Sequence, residues 1–429
     1  MRDRNEFVQL IDRYRLGQAQ RLSIGLTLRS DFKWFHTSLM LAEGRGKFLK
    51  PKWIENRESR VPESIANACR QLVGSTESSI RDFAQLRIDL TRAMATAVNE
   101  LATLSGVHAK MLLAVCVDEP GIWIDDYDGK KTWQPFCEPE QLAELTGLTV
   151  VDALPGRDLA AGGRGWPLQP LPHWLLFADR NKTIADQPRL LINLSDYTDL
   201  TWLPESDGLD DELPAIRFAR FLGPDFERRL IAGCGQPDLS EARRDDLGAQ
   251  GKVSTELASE WNEFVDRQEI SRNVPDQPTI QLLVDRSVEI IRNERLSVGD
   301  ALATLSSHVT IAIKRFLAKR SARSNCRLVM AGGLSRHGLL LSEINQVIGM
   351  PWLDASEINY SAGFSRSATG AMMGLMHIDQ MPVTIPWISG CETPRVLGRL
   401  TPGNPGNWRR VIMEMGDCRP PVMKLCEAV

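Results

Sequence analysis

The sequence predicts an α/β fold built from two lobes, and three observations carry this prediction. Its 429 residues are long for one hydrophobic core and suit two packed lobes. Short apolar runs typical of buried strands alternate with longer segments whose apolar residues recur at helical spacing. A composition of 43% hydrophobic and 25% charged residues is that of an ordinary globular protein.

Helices and strands can be placed along the chain in order. Apolar residues recur every three to four positions between Ser79 and Leu104, and Ser105-Gly106 ends this helix. A second long helix is predicted over Val298–Leu317 and a short one over Pro139–Leu145. The run Leu22–Leu41 contains β-like pieces, and further strands are predicted at Met111–Val117, Leu148–Val151, Leu190–Leu194 and Arg327–Met330.

Charge and hydropathy exclude several classes of partner. A net charge of -4 gives no basic surface for nucleic acid. No stretch approaches the roughly 18 consecutive apolar residues of a membrane span, and the charged N-terminus does not resemble a signal peptide. We therefore expect a cytoplasmic protein without a nucleic-acid or membrane partner. The 8 cysteines are scattered without metal-ligand spacing, so buried free thiols such as Cys116 are expected, with neither disulfides nor a metal site.

The stretch from residue 151 to residue 170 has the most distinctive chemistry. A turn is expected at Pro155-Gly156, and Asp158 then precedes the glycines at 162, 163 and 165. Glycines let main-chain N–H groups approach an oxygen-rich ligand, and a carboxylate beside them can act as general base toward a hydroxyl. A surface loop with a solvated aspartate is the alternative interpretation.

The run Arg157–Leu168 resembles the motif Asp-Ile/Leu-Ala-x-Gly-Gly-x-Gly-Ala-Pro-Leu of the anhydro-N-acetylmuramic acid kinases. These sugar kinases open and phosphorylate a 1,6-anhydro sugar released in cell-wall recycling. The family's order and spacing continue in four segments, Leu101–Leu176, Arg189–Pro204, Cys326–Leu341 and Pro386–Asn404. The resemblance implies a two-lobed actin/hexokinase-like ATPase fold with a central cleft, an amino-sugar substrate, ATP and Mg²⁺ as cofactors, and a homodimer.

The resemblance also implies roles for individual residues. Asp158 takes the position of the base that activates water for ring opening. Counting back without gaps from Pro386 puts Arg366 where the family has a sugar-contacting Glu, whereas a gap would bring Glu357 there. The positions implied on the sugar side are Arg157, Gly162, Gly163 and Arg366, and those on the nucleotide side are Gly25, Gly223, Gly332 and Gly333.

Several phosphate-binding elements depart from the family's pattern. Both glycines of the first phosphate turn are replaced, by Arg29 and Trp34, and a Gly-Gly pair has become Ser195-Asp196. The segment Phe221–Phe226 keeps only its central Gly-Pro, and Cys116–Pro120 replaces a Gly-His-Gly-Gln-Thr turn. In that last segment Asp118 and Glu119 are either ligand-contacting acids or a solvated pair at a strand end. His173 is expected to be packed.

We expect a first lobe of residues 1–185 that carries Asp158 and a second lobe of residues 186–429 that carries the nucleotide-side elements.

Two functional hypotheses remain open. An active kinase would need replacement cations such as Arg29, Lys33 or Arg164. A pseudokinase would instead be a non-catalytic module that binds a sugar or a protein. The altered phosphate turns favour impaired or lost phosphotransfer, because that reaction depends on positioning and charge stabilisation.

Overall fold

The computed structural model describes residues 20–75, 77–125, 131–178, 187–204, 215–267, 277–319, 326–332, 338–358 and 360–416. These residues form two compact units. The first contains the described residues up to Leu176 and those from Arg366 onward. The second contains the described residues from Phe177 to Ser365.

The first unit is built on a six-stranded mixed sheet with the order β13-β7-β4-β1-β2-β3. Strands β1, β2 and β3 form an antiparallel meander, β4 and β7 continue the sheet in parallel, and β13 is antiparallel at the edge. Beside it lies a two-stranded sheet, β5-β6. The strands are β1 Gln20–Leu28, β2 Trp34–Glu43, β3 Lys50–Arg60, β4 Leu112–Asp118, β5 Ile122–Asp125, β6 Lys131–Gln134, β7 Thr149–Asp152 and β13 Arg399–Thr401.

The second unit is built on a five-stranded mixed sheet with the order β10-β9-β8-β11-β12. The strands are β8 Arg189–Leu194, β9 Thr198–Leu203, β10 Arg217–Phe221, β11 Arg327–Ala331 and β12 Trp352–Asp354. Strands β8 to β10 form an antiparallel meander, and β11 and β12 extend it in parallel. This is the same arrangement as β3-β2-β1-β4-β7 of the first unit. The predicted α/β class with two sheet-based units is confirmed.

The long helix predicted after Ser79 is present and is capped at both ends. The Ser79 side chain accepts a hydrogen bond from the Asp82 N–H at its start, and Gly106 ends it with a φ of 68°. The helices of the first unit are α1 Glu63–Val73, α2 Ile80–Ser105, α3 Pro139–Thr146, α4 Leu154–Ala160, α5 Pro170–Phe177, α12 Ser365–Ile378, α13 Pro386–Ser389 and α14 Pro405–Gly416, of which α5 and α12 run across the boundaries between the two units.

The second long helix also matches its prediction. A capping box formed by Ser297 and Asp300 begins it, and it extends to Ala318. The helices of the second unit are α6 Pro224–Gly233, α7 Glu241–Gln250, α8 Thr255–Arg267, α9 Gln277–Asn293, α10 Val298–Ala318 and α11 Gly338–Val347. Among the described helices, none combines the length and apolarity needed to cross a membrane.

The hydrophobic core of the first unit lies between its sheet and helix α2. Leu90, Met94 and Leu101 of α2 are fully buried in one cluster with Ile24 and Leu26 of β1. Full burial of each such side chain contributes about 1.5–3 kcal/mol relative to exposure. The strand Leu112–Asp118 is buried along its whole length, including the Cys116 thiol, as its apolar run predicts.

The end of the chain differs from the division expected from the sequence. The predicted boundary after residue 185 falls outside the described residues, and residues 366–416 belong to the first unit although the prediction gives them to the second. The physical reason is packing. Helix α12 lies against β1 at Gly25, where its backbone approaches Ser367, and β13 pairs with β7 to extend the first sheet.

Candidate functional site

Asp158 lies on the short helix α4, where the sequence predicts a turn and a loop. Pro155 occupies the first turn of this helix, where a missing N–H leaves no hydrogen bond unmade. The helix ends at Ala160, and the N–H groups of Ala161 and Gly163 return to the Asp158 carbonyl oxygen at 3.0 and 2.9 Å. The turn therefore begins three residues after Asp158 and folds back over it.

The Asp158 carboxylate is completely buried and both of its oxygens accept hydrogen bonds. Oδ2 accepts from the Gly165 N–H at 2.8 Å, and Oδ1 accepts from the Ser389 hydroxyl at 2.9 Å. Burial raises the pKa of Asp158, and the hydrogen bonds from Ser389 and Gly165 oppose that rise. The alternative of a solvated aspartate is therefore wrong.

The sugar-side glycines have different local roles. A Cβ on Gly163 would overlap the Asp158 carboxylate, so glycine is required there for the acid to lie beneath the backbone. Gly162 is exposed, has a φ of 79° and shapes the turn. Arg157 is exposed. The structure brings Asp158 and Gly163 together, whereas Arg157 makes none of the hydrogen bonds that hold the acid.

Residues 384–392 form the second wall of this site. The Arg164 N–H donates to the Ser389 carbonyl at 3.0 Å, and the Glu392 N–H donates to the Ala161 carbonyl at 3.4 Å. The Cys391 thiol donates to the Thr384 hydroxyl at 3.3 Å. Sequence reasoning did not select Ser389. The signal that could have found it is its place in the segment Pro386–Asn404, one of the four that the resemblance covers.

Arg366 lies in the first turn of helix α12 and forms a two-point ion pair with Asp118 at the end of β4. Its Nε lies 2.7 Å from Asp118 Oδ2 and its Nη2 lies 3.0 Å from Oδ1. The Asp118 side chain is 9% exposed and that of Arg366 is 31% exposed. Glu357, the alternative to Arg366, instead accepts the Asp354 N–H at 2.8 Å in the second unit.

Glu119 follows Asp118 and is buried as well, so the expectation of a solvated acidic pair is wrong for both residues. Its two oxygens accept the N–H groups of Phe136 and Cys137 at 2.9 and 3.0 Å. Burial raises the pKa of Glu119 to about 7, although both hydrogen bonds act in the opposite direction. Glu119 thus holds the segment before α3 against the end of β4. His173 is packed as expected, and its burial lowers its pKa to about 3.

Gly25, implied on the nucleotide side, lies within β1 beneath helix α12. A Cβ at this position would overlap the Ser367 carbonyl oxygen. Two further glycines of α12 also lie close to the sheet. A Cβ added to Gly370 would lie 3.7 Å from the Gly25 Cα of β1, and one added to Gly374 would lie 3.0 Å from the Cys116 Cβ of β4. Gly25 therefore permits a close contact between helix and sheet.

Gly223 and Gly332 lie together at the turn between β8 and β9 in the second unit. A Cβ on Gly223 would come within 2.5 Å of the Thr198 nitrogen. Gly332 has a φ of 95° and packs on the backbone of Leu194. Gly333 lies outside the described residues. The two described glycines thus bring β10 and β11 close to one hairpin turn.

Two aspartates at and beside this turn, Asp196 and Asp225, contact two arginines of helix α6. The Asp225 N–H donates to the Asp196 carbonyl at 2.9 Å, so these two segments are joined by their backbone. Arg229 Nε donates to Asp225 Oδ2 at 2.9 Å, and Arg228 Nη2 lies 3.2 Å from Asp225 Oδ1 and 3.8 Å from Asp196 Oδ1. Burial raises the pKa of Asp225, and the nearby Arg229 counteracts it.

A mostly aliphatic recess adjoins the same turn. Its empty volume is about 400 Å³, including the part open to solvent. The Thr198 hydroxyl is buried and has no hydrogen-bond partner within the described part of the chain. The recess is lined by Leu194, Thr198, Gly223, Pro224, Glu227, Leu302, Leu305, Ser306, Val309 and Leu340.

The two units share a strand order, and each contains a turn with closely packed glycines. Two units share one order of sheet strands, a buried carboxylate lies beneath a glycine-rich turn in the first, and a hairpin turn meets two glycines in the second. This is an α/β protein built from two sheet-based units. The family model that describes anhydro-N-acetylmuramic acid kinase matches residues 43–204, a range that includes Asp158 and its glycines.

Relatives of this chain cover most of its length. An anhydro-N-acetylmuramic acid kinase of Chromohalobacter salexigens is 26% identical over 82% of this chain and 93% of its own. One from Caldanaerobacter subterraneus is 23% identical over 89% of this chain and 97% of its own. The chain is similar to anhydro-N-acetylmuramic acid kinases over most of its length, which agrees with the resemblance recognised in its sequence. Component A of the Acidaminococcus fermentans (R)-2-hydroxyglutaryl-CoA dehydratase aligns with 82% of this chain and 96% of its own, at a TM-score of 0.40 and 10% identity.

Proposed function

We propose that this chain derives from an ATP-dependent kinase of 1,6-anhydro-N-acetylmuramic acid and has lost most or all of its phosphotransfer. The sugar-side loop is retained, with the Asp158 carboxylate held beneath the glycine-rich turn. The elements that correspond to phosphate turns in the family are altered. The amino-sugar ligand and the homodimer are carried over from the family as part of this proposal.

The observation that carries the proposal is the acid–arginine network at the β8–β9 turn. Asp196 and Asp225 lie where the resemblance places glycines, and Arg228 and Arg229 bind them. A carboxylate 4 Å from a phosphate charge costs about 4 kcal/mol at an effective dielectric constant of 20. The two arginines are matched by two aspartates, so no net positive charge remains to offset this cost. The turn therefore disfavours binding of a nucleoside triphosphate.

The backbone at this turn is also engaged. In a phosphate-binding turn the N–H groups point at the ligand. Here the Ser195 N–H donates to the Tyr197 carbonyl at 3.2 Å and the Asp225 N–H donates to the Asp196 carbonyl at 2.9 Å. These two donors are therefore used within the protein.

Two of the cations that could compensate for the lost glycines, Arg29 and Arg164, are engaged as well. Arg29 Nη2 lies 3.1 Å from Asp31 Oδ2. Arg164 Nη1 donates to the Ile388 carbonyl at 3.4 Å. Side-chain replacement of the lost backbone donors would require these contacts to break first.

The donor set does not fit a magnesium ion. Mg²⁺ takes one or two carboxylates with several waters in octahedral geometry. At the β8–β9 turn both carboxylates are bound by Arg228, whose positive charge opposes a metal cation. Throughout the described ranges, no group of three or more His, Cys, Asp and Glu side chains is arranged to hold a metal ion.

A second candidate function is a non-catalytic module that binds a sugar or a protein. The specific observation in its favour is that Asp158 is fully buried, with one protein donor on each carboxylate oxygen. A general base needs one oxygen within hydrogen-bond reach of the proton it removes. In this arrangement Asp158 instead stabilises the shape of the loop.

Calorimetry with ATP–Mg²⁺ and with the anhydro sugar, in separate titrations, tests the proposal. We expect sugar binding and no heat from millimolar ATP–Mg²⁺. A double variant, Asp196→Gly with Asp225→Gly, frees Arg228 and Arg229 and should gain affinity for ATP–Mg²⁺ or pyrophosphate. Asp238→Asn, at an exposed acid elsewhere in this unit, is the matched control. Micromolar ATP affinity in the parent protein would overturn the loss of phosphotransfer, because 1,000-fold excess ligand would then stabilise it by about 4.1 kcal/mol.

A further inference from the structure

Ser389 makes the contact to Asp158 that comes from outside its own loop. Its hydroxyl lies 2.9 Å from Asp158 Oδ1, and the two residues are 231 positions apart in the sequence. We propose that Ser389 is the positioning residue of the Asp158 site and that its hydroxyl fixes the orientation and the ionisation of that carboxylate. The catalytic meaning of this inference rests on the proposed sugar-side role of Asp158, but its physical content does not require turnover.

The hydroxyl proton of Ser389 has a defined direction. The Cys391 N–H donates to Ser389 Oγ at 3.4 Å, so the oxygen accepts one hydrogen bond from the backbone. A hydroxyl has one proton to donate, and the adjacent Asp158 carboxylate is the acceptor at hydrogen-bond distance. The pair is therefore ordered as Cys391 N–H to Ser389 Oγ–H to Asp158 Oδ1.

The backbone of Ser389 is held on both sides. Its N–H donates to the Ile385 carbonyl at 2.9 Å, and its carbonyl accepts the Arg164 N–H at 3.0 Å. Gly390 ends the short helix α13 with a φ of 84°. The hydroxyl is consequently presented from a fixed frame, and Ser389 itself is completely buried.

Loss of the hydroxyl would leave Asp158 Oδ1 buried beside a cavity. Gly165 would still donate to Oδ2. The charged and titratable groups that face Asp158 are Arg164 and Cys391, and both lower its pKa. A hydrogen bond donated to an ionised carboxylate stabilises that charged form. Without the Ser389 hydroxyl, less would oppose the effect of burial, so the pKa of Asp158 would rise. The carboxyl group would then become protonated at a higher pH.

The isosteric pair Ser389→Thr and Ser389→Val tests this inference, because both variants add a branched carbon and only threonine keeps the hydroxyl. The readout is the ¹³C titration of the Asp158 carboxyl group, assigned by its absence in Asp158→Asn. We expect an upward pKa shift of about one unit or more in the valine variant relative to the threonine variant. Equal pKa values in the two variants would overturn the proposal.

A second readout separates this inference from the proposed function. If the protein turns over the anhydro sugar, the acidic limb of the curve of kcat against pH should shift to higher pH in Ser389→Val. In Ser389→Thr it should lie where it lies in the parent protein. If it does not, the NMR titration alone decides, and a failed ATP or sugar titration leaves that result intact. Should the added carbons prevent folding, Ser389→Ala compared with the parent protein gives the same test, and an unchanged Asp158 pKa would again reject the role of Ser389.

Discussion

Arg366 and Asp118 form a bidentate ion pair, with Nε–Oδ2 and Nη2–Oδ1 distances of 2.7 and 3.0 Å. The resemblance, counted without gaps from Pro386, puts Arg366 at the place of a family Glu, and it separately puts Asp118 in a segment aligned with a Gly-His-Gly-Gln-Thr turn. The pair engages the guanidinium within the first unit, so an anionic ligand would have to compete with Asp118 for Arg366.

The energetic coupling of this pair is the first prediction. Arg366→Ala and Asp118→Asn should each lower the free energy of unfolding by about 1–2 kcal/mol, since the pair is bidentate but one partner is a third exposed. The double variant should cost less than the sum, which urea denaturation can measure as a double-mutant cycle. Arg366→Lys, which keeps the charge without the two-point geometry, should recover only part of the loss. Strict additivity would show that the pair contributes nothing as a unit.

The second prediction distinguishes packing from nucleotide binding at Gly25. Gly25→Ala would force a methyl group into the Ser367 carbonyl oxygen, and we expect destabilisation on the order of 3 kcal/mol. Gly156→Ala is the matched control, because Gly156 lies within helix α4 with no atom within 4 Å of its added Cβ. That control should stabilise the protein by up to about 1 kcal/mol. A Gly25→Ala variant as stable as its parent would show that the strand and helix α12 can separate at this point.

The third prediction concerns pH and Glu119. Its pKa in the folded protein is raised from 4.5 to about 7, so folding favours the protonated form. The stability from this group is fully present below pH 4.5 and is lost as the pH rises through about 7. Compared with Glu119→Gln, the parent protein should lose on the order of 3 kcal/mol across this window in chemical denaturation.

An exposed carboxylate supplies the control for that measurement. Glu144→Gln removes a surface acid from helix α3, close in sequence to the segment that Glu119 holds. Its pH profile should follow that of the parent. If Glu119→Gln also follows the parent profile, the buried carboxyl group does not titrate in this range.

The fourth prediction concerns Asp158 itself. If the protein turns over an anhydro sugar, Asp158→Asn should reduce the rate by about a hundred- to ten-thousand-fold, because an amide cannot take a proton from water. Sugar binding should persist, since the amide oxygen can still accept from Gly165 and the amide nitrogen can donate to Ser389 Oγ. Initial rates and calorimetry on the same preparation measure both effects. A rate within about threefold of the parent would assign Asp158 a structural role in the loop.

Local patterns in the sequence were sufficient for much of the fold. Helix α2 follows from its apolar spacing with Ser79 and Gly106 at its ends, and β4 follows from its apolar run. These features depend on residues that are close in the sequence, so they can be predicted without tertiary contacts. Pro155 and Gly156 lie in a helix and not in the predicted turn, because proline is equally suited to a turn and to the first turn of a helix.

The sequence by itself determined that an acid would precede closely spaced glycines at Asp158. Only the tertiary structure decided that Asp158 would be buried under Ser389, and that Arg366 would neutralise Asp118 from 248 positions away. Spacing along the chain says which groups are available. Strand order and helix packing decide which distant groups meet, and burial then decides whether a carboxylate faces water, a hydroxyl or a guanidinium.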